Sequence, residues 1–122
     1  MTRSAAVLVV TLVACGGVDK HRALRDAHMM LDAASTGFAE WDRLTQDRIA
    51  REAPVDQARG DLEAYRARRD PVVLAFVAAW AALGAAAADP GLPQMIAVAT
   101  ALRDVWRLVQ AFRAGETTRG TP

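Results

Sequence analysis

Residue types able to do chemistry are few in this 122-residue chain, and their spacing keeps most of them apart. The two histidines are His21 and His28. A separation of seven residues on a helix puts them about 10.5 Å apart along its axis, too far to share one ion. Asp26 precedes His28 by two positions and points elsewhere around the helix, so both histidines read as surface residues. Glu40 with Asp42, and Asp61 with Glu63, are carboxylate pairs at the same unhelpful spacing, whereas general acid/base work needs convergence. The sequence contains no HExxH spacing, nucleophile elbow, P-loop or paired-glycine phosphate cradle. No nucleophile has a plausible base, and the chain reads as a non-enzyme with no catalytic residues, no metal centre and no cofactor.

Two features fit recognition better than reaction. Trp41, Trp80 and Trp106 fall one to each helical region. They are either large core anchors or, if they share an exposed face, a partner site, because Trp and Arg dominate interface hot spots. The second feature is the cluster Arg66, Arg68 and Arg69 beside Tyr65. Such a cluster ordinarily forms a solvated face, but Arg69 falls on an apolar stripe and must pair or snorkel. Asp70 or a carboxylate on the first helix is its expected partner. Trp41, Trp80, Trp106, Arg66 and Arg69 are therefore the candidate partner-binding residues. Fifteen basic and fourteen acidic residues nearly cancel, so charge implies neither nucleic acid nor an anionic membrane surface as a partner. The basic residues are almost all Arg and Ala is abundant, which reads as the codon bias of a GC-rich genome.

The elements that must position these residues are helical. Asp19 reads as an N-cap, and Leu24, Ala27, Leu31, Ala34, Phe38 and Trp41 recur at spacings of three and four on one stripe. This predicts a first helix over 20–52, its stripe drifting to Leu44 and Ile49, with Pro54 ending it. Ser35, Thr36 and Gly37 form a soft point where a kink or break is expected, since Gly costs about 1 kcal/mol relative to Ala inside a helix.

The next stripe is Val55, Ala58, Leu62, Tyr65, Arg69, Val72, Phe76, Ala79, Leu83 and Ala86. Its phase runs through Pro71 without a reset, which favours one bent helix over 55–88. Two helices, with Asp70 capping the second, are the alternative. Residues 71–88 carry no charge and about half are Ala. They could be taken for a membrane span, but Ala is weakly apolar and Trp80 lies mid-run, so burial on most of the helix circumference is the expectation.

Asp89, Pro90, Gly91 and Leu92 make a turn, and Pro93 starts a third helix with the stripe Met95, Val98, Leu102, Val105, Val109 and Phe112, flanked by Ile96 and Trp106. Its outer face carries Arg103, Asp104, Arg107, Gln110 and Arg113. Gly115 reads as the stop signal, and residues 115–122, with no apolar side chain, as a disordered tail. No run alternates with a period of two, so the fold class is all-α: an antiparallel bundle of three long helices over 20–114, or four if Pro71 breaks the second.

The N-terminus has a different character. Arg3 precedes the uncharged run Ala5 to Val13, in which Thr11 is the only hydroxyl, and small residues follow. This is the three-part layout of a secretory signal and is too short to span a bilayer. Leu12, Val13, Ala14 and Cys15, followed by Gly16 and Gly17, resemble the lipobox of bacterial lipoproteins. Cys15 is the chain's one cysteine, so no internal disulfide can form, and a small buried hydrophobe is the bland alternative for it. The resemblance implies cleavage after residue 14, diacylglycerol on the Cys15 sulfur, N-acylation of the new terminus, and residues 15–19 as a short tether. The lipid bilayer would then be one partner and an envelope protein another.

Gly16 at the following position points, by resemblance to enterobacterial lipoproteins, to the periplasmic face of the outer membrane. The leading expectation is thus a small helical lipoprotein of the cell envelope acting as an adaptor or assembly factor. Three other readings stay open: a phage-type, lysis-associated lipoprotein similar to outer spanin subunits; a binder of a small apolar ligand; and a small protein spanning the membrane with 71–88.

Overall fold

The computed structural model describes residues 19–119, which form three α-helices: α1, Lys20–Glu52; α2, Val55–Ala88; and α3, Leu92–Arg119. No strand occurs among the described residues. The segment carrying Arg3, the lipobox and Cys15, and the last three residues, lie outside them.

Local chemistry sets the boundaries. At the start of α1 the Asp19 carboxylate accepts from the His21 backbone N–H at 3.0 Å, satisfying one of the donors that a helix start leaves unpaired. The helix ends where Pro54 drives Ala53 into extended geometry, ψ 145°. Pro54 caps α2, its carbonyl accepting from the N–H groups of Gln57 and Ala58, and Asp56 complements the dipole in the first turn. The α2 helix then runs unbroken through Pro71, which sits on its exposed side. The alternative of four helices is excluded. After Ala88 the chain turns through Asp89, Pro90 and Gly91, and the Gly91 carbonyl accepts from Met95 N–H to open α3. Links of two and three residues force each helix antiparallel to the one before.

The spine of this bundle is α2. Both α1 and α3 pack chiefly on it and touch each other mainly where Phe38 and Trp41 meet Phe112. Leu24, Ala27, Leu31 and Phe38 from α1 meet Val72, Phe76, Ala79, Leu83 and Ala86 of α2, and Met95, Val98 and Val105 of α3 complete the core. Phe38, Trp41, Phe76 and Phe112 stack at centroid distances of 5.5–6.2 Å, the spacing at which aromatic pairs attract.

The structure corrects several expectations. Ser35 to Gly37 do not break α1, because Ser35 is anchored by Trp80, whose indole N–H donates to its hydroxyl at 3.2 Å. The α1 stripe does not drift to Leu44, which is half exposed. It continues at Thr45, which is buried and donates its hydroxyl to the Trp41 carbonyl at 2.8 Å. Ala34 and Val55 lie on predicted stripes yet are exposed. Residues 71–88 are buried along one stripe only, and most of their circumference faces outward. The expected stop at Gly115 is also absent: α3 continues to Arg119, so residues 115–119 belong to the fold and not to a disordered tail. The Thr117 and Thr118 hydroxyls donate to the carbonyls of Arg113 and Ala114, and Glu116 is buried by an ion pair described below.

A Cβ added at Gly37 would meet nothing within 4 Å, and the backbone there is ordinary helix. Gly37→Ala should therefore stabilise the domain by about 1 kcal/mol through helix propensity. A raised midpoint in chemical denaturation checks this; a lowered one would mean that the helix is not continuous through 35–37.

Candidate functional site

Below the aromatic cluster, the three helices are joined by polar contacts. The Asp42 carboxylate of α1 accepts from the Tyr65 hydroxyl at 2.7 Å and from Arg69 Nη1 at 3.1 Å, so both of its oxygens are used by α2. Arg69 also lies 3.7 Å from Asp70, while its Nε is buried without a hydrogen-bond partner. Tyr65 is completely buried. Burial first, and the bond to Asp42 second, push its phenol well above the ordinary tyrosine range. Nearby, Arg66 Nε donates to Gln46 Oε1 at 3.0 Å across the same two helices.

A second junction ties α2 to α3. Arg68 donates from Nε to Glu116 Oε1 at 2.7 Å and from Nη2 to Oε2 at 3.2 Å, the two-pronged geometry in which a guanidinium matches a carboxylate. The hydrogen bond to Glu116 raises the Arg68 guanidinium above its already high ordinary value, against the opposing effect of burial. The Glu116 side chain is 6% exposed, and Arg119 approaches the same carboxylate at 4.0 Å.

The Arg68–Glu116 junction lies in the wall of an open cleft of about 560 Å³ at the end of the bundle far from Asp19. Arg48, Ile49, Glu52 and Ala53 line it from α1, Asp61, Ala64 and Arg68 from α2, and Glu116 and Arg119 from α3. Three guanidinium and three carboxylate side chains face one concavity, chemistry suited to matching charges on a polypeptide and ill suited to an apolar ligand.

The candidate partner residues are dispersed. Trp41 is half-buried against Phe38 and Phe112, with the Arg113 guanidinium 5.4 Å from its ring centroid. Trp80 is also half-buried, between Ser35 and the edge of the His28 ring, whose centroid is 5.2 Å away. Trp106 alone is exposed, at 37%. The three do not share a face, and Trp41 and Trp80 serve packing. Arg69 is committed to Asp42 and Asp70, the two kinds of partner expected for it, whereas Arg66 is exposed. Cys15 lies outside the described residues. Among the described residues no three His, Cys, Asp or Glu side chains converge on a point that could hold a metal ion.

Sequence reasoning missed Glu116, although the signal was present: Val105, Val109, Phe112 and Glu116 continue the three-and-four spacing of α3. Asp42 was discounted beside Glu40 because the two diverge, and its true partners come from another helix. No protein-family model, curated protein or solved structure matches this chain.

Two measurements test these junctions. A raised phenol pKa means that the folded state favours neutral Tyr65. The stability it contributes is fully present below the ordinary phenol value near pH 10 and is lost as pH rises from there through the raised value of the folded state. Tyr65 is the only tyrosine, so the ultraviolet difference band of phenolate reports it alone. Phenolate should appear only as helical circular dichroism is lost, and ionisation near pH 10 with the helices intact would contradict the buried bond. For the second junction, Glu116→Gln removes the carboxylate that Arg68 grips with two hydrogen bonds and should cost about 1–3 kcal/mol. Hydrogen exchange should then speed up over 113–119 before it does in the rest of α3.

Proposed function

We propose that this chain is a small helical lipoprotein of the cell envelope, held in the bilayer by lipid on Cys15 and acting as a non-enzymatic adaptor between the membrane and a protein partner. One observation carries the reading: the lipobox-like run Leu12, Val13, Ala14 and Cys15 stands four residues ahead of Asp19, the cap of α1. Cleavage before Cys15 would leave Gly16, Gly17 and Val18 as the whole tether, at most about 14 Å to Asp19 when extended. The end of the bundle formed by Asp19, Ala88 and Leu92 would then sit next to the bilayer.

The charged cleft lies at the other end of α1, about 48 Å away at 1.5 Å per residue. In this arrangement the membrane-facing end carries the anchor and the far end presents Arg48, Glu52, Asp61 and Arg119 to a partner in the periplasm. The outer membrane is the favoured destination, from Gly16 after the lipidated cysteine.

A second reading draws on α2. The helix Val55–Ala88 is long and apolar enough to cross a membrane by length and composition, with a mean hydropathy of 2.0 over its most apolar window, of which 28% is buried. Against a span, α1 lies on the same half of the bundle and carries Lys20, Arg22, Arg25, Asp26 and Asp32, which insertion would take into the hydrocarbon.

The intact mass of the membrane-extracted protein, beside a Cys15→Ser variant, decides between the two. The expected result is a chain beginning at Cys15 with acyl mass added, and loss of both processing and lipid in the variant. An unprocessed chain retaining residues 1–14 would overturn the lipoprotein reading in favour of the spanning one.

A further inference from the structure

The face of α2 turned away from α1 and α3 carries Val73, Leu74, Val77, Ala78, Ala81, Gly84, Ala85 and Ala88, all exposed. Leu74 is 67% and Val77 59% exposed, in a helix otherwise packed along its opposite side. Charge is absent from this face, so covering it desolvates no ion. The eight residues leave on the order of 500 Å² of largely apolar surface open, the upper part of what a monomer ordinarily shows in one patch.

The order of the side chains identifies what fits. Leu74, Val77, Ala81, Gly84 and Ala88 alternate at spacings of three and four, the seam of a helix that packs against another helix along its length. The large members occupy one end and the small ones the other. A parallel copy would set Leu74 on Leu74 and hold the Ala81 to Ala88 stretch apart. An antiparallel copy crossing at Ala81 sets Leu74 on Ala88, Val77 on Ala85, Ala78 on Gly84, and Ala81 on itself. Large then meets small along the whole seam, the condition for close packing. A Cβ at Gly84 would meet nothing within 4 Å in the single chain, so the space beside it is open to the second helix.

We propose that this face is the interface of a two-fold dimer of this chain, with the two α2 helices antiparallel and centred on Ala81. The pairing is isologous, as closed dimers require. It removes on the order of 1,000 Å² in total, where specific interfaces begin. The dimer does not rest on the lipid anchor.

The test uses the full chain. Sedimentation equilibrium should give twice the chain mass. Ala81→Arg should weaken association at least tenfold without loss of helical circular dichroism, since the side chain is exposed in the single chain. Register is read by cross-linking in a Cys15→Ser background. Leu74→Cys mixed with Ala88→Cys should form a disulfide-linked heterodimer, while Leu74→Cys alone should not self-link. A monomer at tens of micromolar would overturn the proposal, as would efficient self-linking of Leu74→Cys, which marks a parallel pair. A monomer that binds phosphatidylethanolamine and phosphatidylglycerol vesicles, with binding lost in Leu74→Gln, would assign the face to lipid instead.

Discussion

The lower half of this bundle depends on how one carboxylate is satisfied. Asp42 receives the Tyr65 hydroxyl on one oxygen and the Arg69 guanidinium on the other, and all three groups are largely withdrawn from water. A carboxylate buried without donors would be costly, and so would the guanidinium left behind. Only one sliding position of α1 on α2 brings both donors to Asp42. The hydrophobic stripes tolerate a shift by one turn far better than this contact does, so the polar group fixes register while the apolar groups supply the drive. The aromatic cluster directly above it then falls into place, with Phe38 on Phe76 and Phe112 closing over Trp41.

The two halves of the molecule are built on different chemistry. Between Pro71 and Leu102 the α2–α3 hairpin carries Asp89 as its sole charge, and its packing is apolar apart from the Trp80 indole on Ser35. Toward the other end, inter-helix contacts are made by Tyr65, Arg66, Arg68 and Arg69 reaching to Asp42, Gln46 and Glu116. Exposed pairs on single helices, such as Arg43 with Glu40 and Asp47, add little beyond local support. The apolar half offers adaptable surface, and the polar half offers fixed geometry. The two proposals, a charged partner at one end and helix packing at the other, rest on that division.

Much of this was legible in the residues because period and punctuation agree. Pro54 and the Asp89 to Gly91 turn mark the helix boundaries, and unbroken phase through Pro71 favoured a single α2, as observed. What escaped depended on polar side chains acting as core. Thr45 and Glu116 continue their stripes in perfect phase but do not register as apolar. Their burial is licensed by partners, a carbonyl one turn back for Thr45 and a guanidinium 48 residues away for Glu116. The exposure of α2 over 73–88 escaped for the opposite reason. Hydropathy reports that a side chain prefers cover, whereas the number of helices available to cover it is a property of the whole chain. Of the site, the need of Arg69 for Asp70 or a carboxylate of α1 was legible, but Asp42 as that carboxylate and the cleft were not, since Arg48, Asp61 and Glu116 converge only once three helices meet.

The short links have a kinetic consequence. Ala53 with Pro54, and Asp89 to Gly91, join helices that contact their sequence neighbours, and the pair distant in sequence, α1 and α3, meets over a small area. Most of the chain's search is therefore confined to two adjacent hairpins. A topology of such low contact order belongs with the domains that fold in microseconds to milliseconds, faster than the chain is synthesised. The α1–α2 hairpin could zip as soon as both its helices are free, whereas Glu116 waits for the last residues. Docking of the end of α3 onto Arg68 is thus the natural final event in forming the domain.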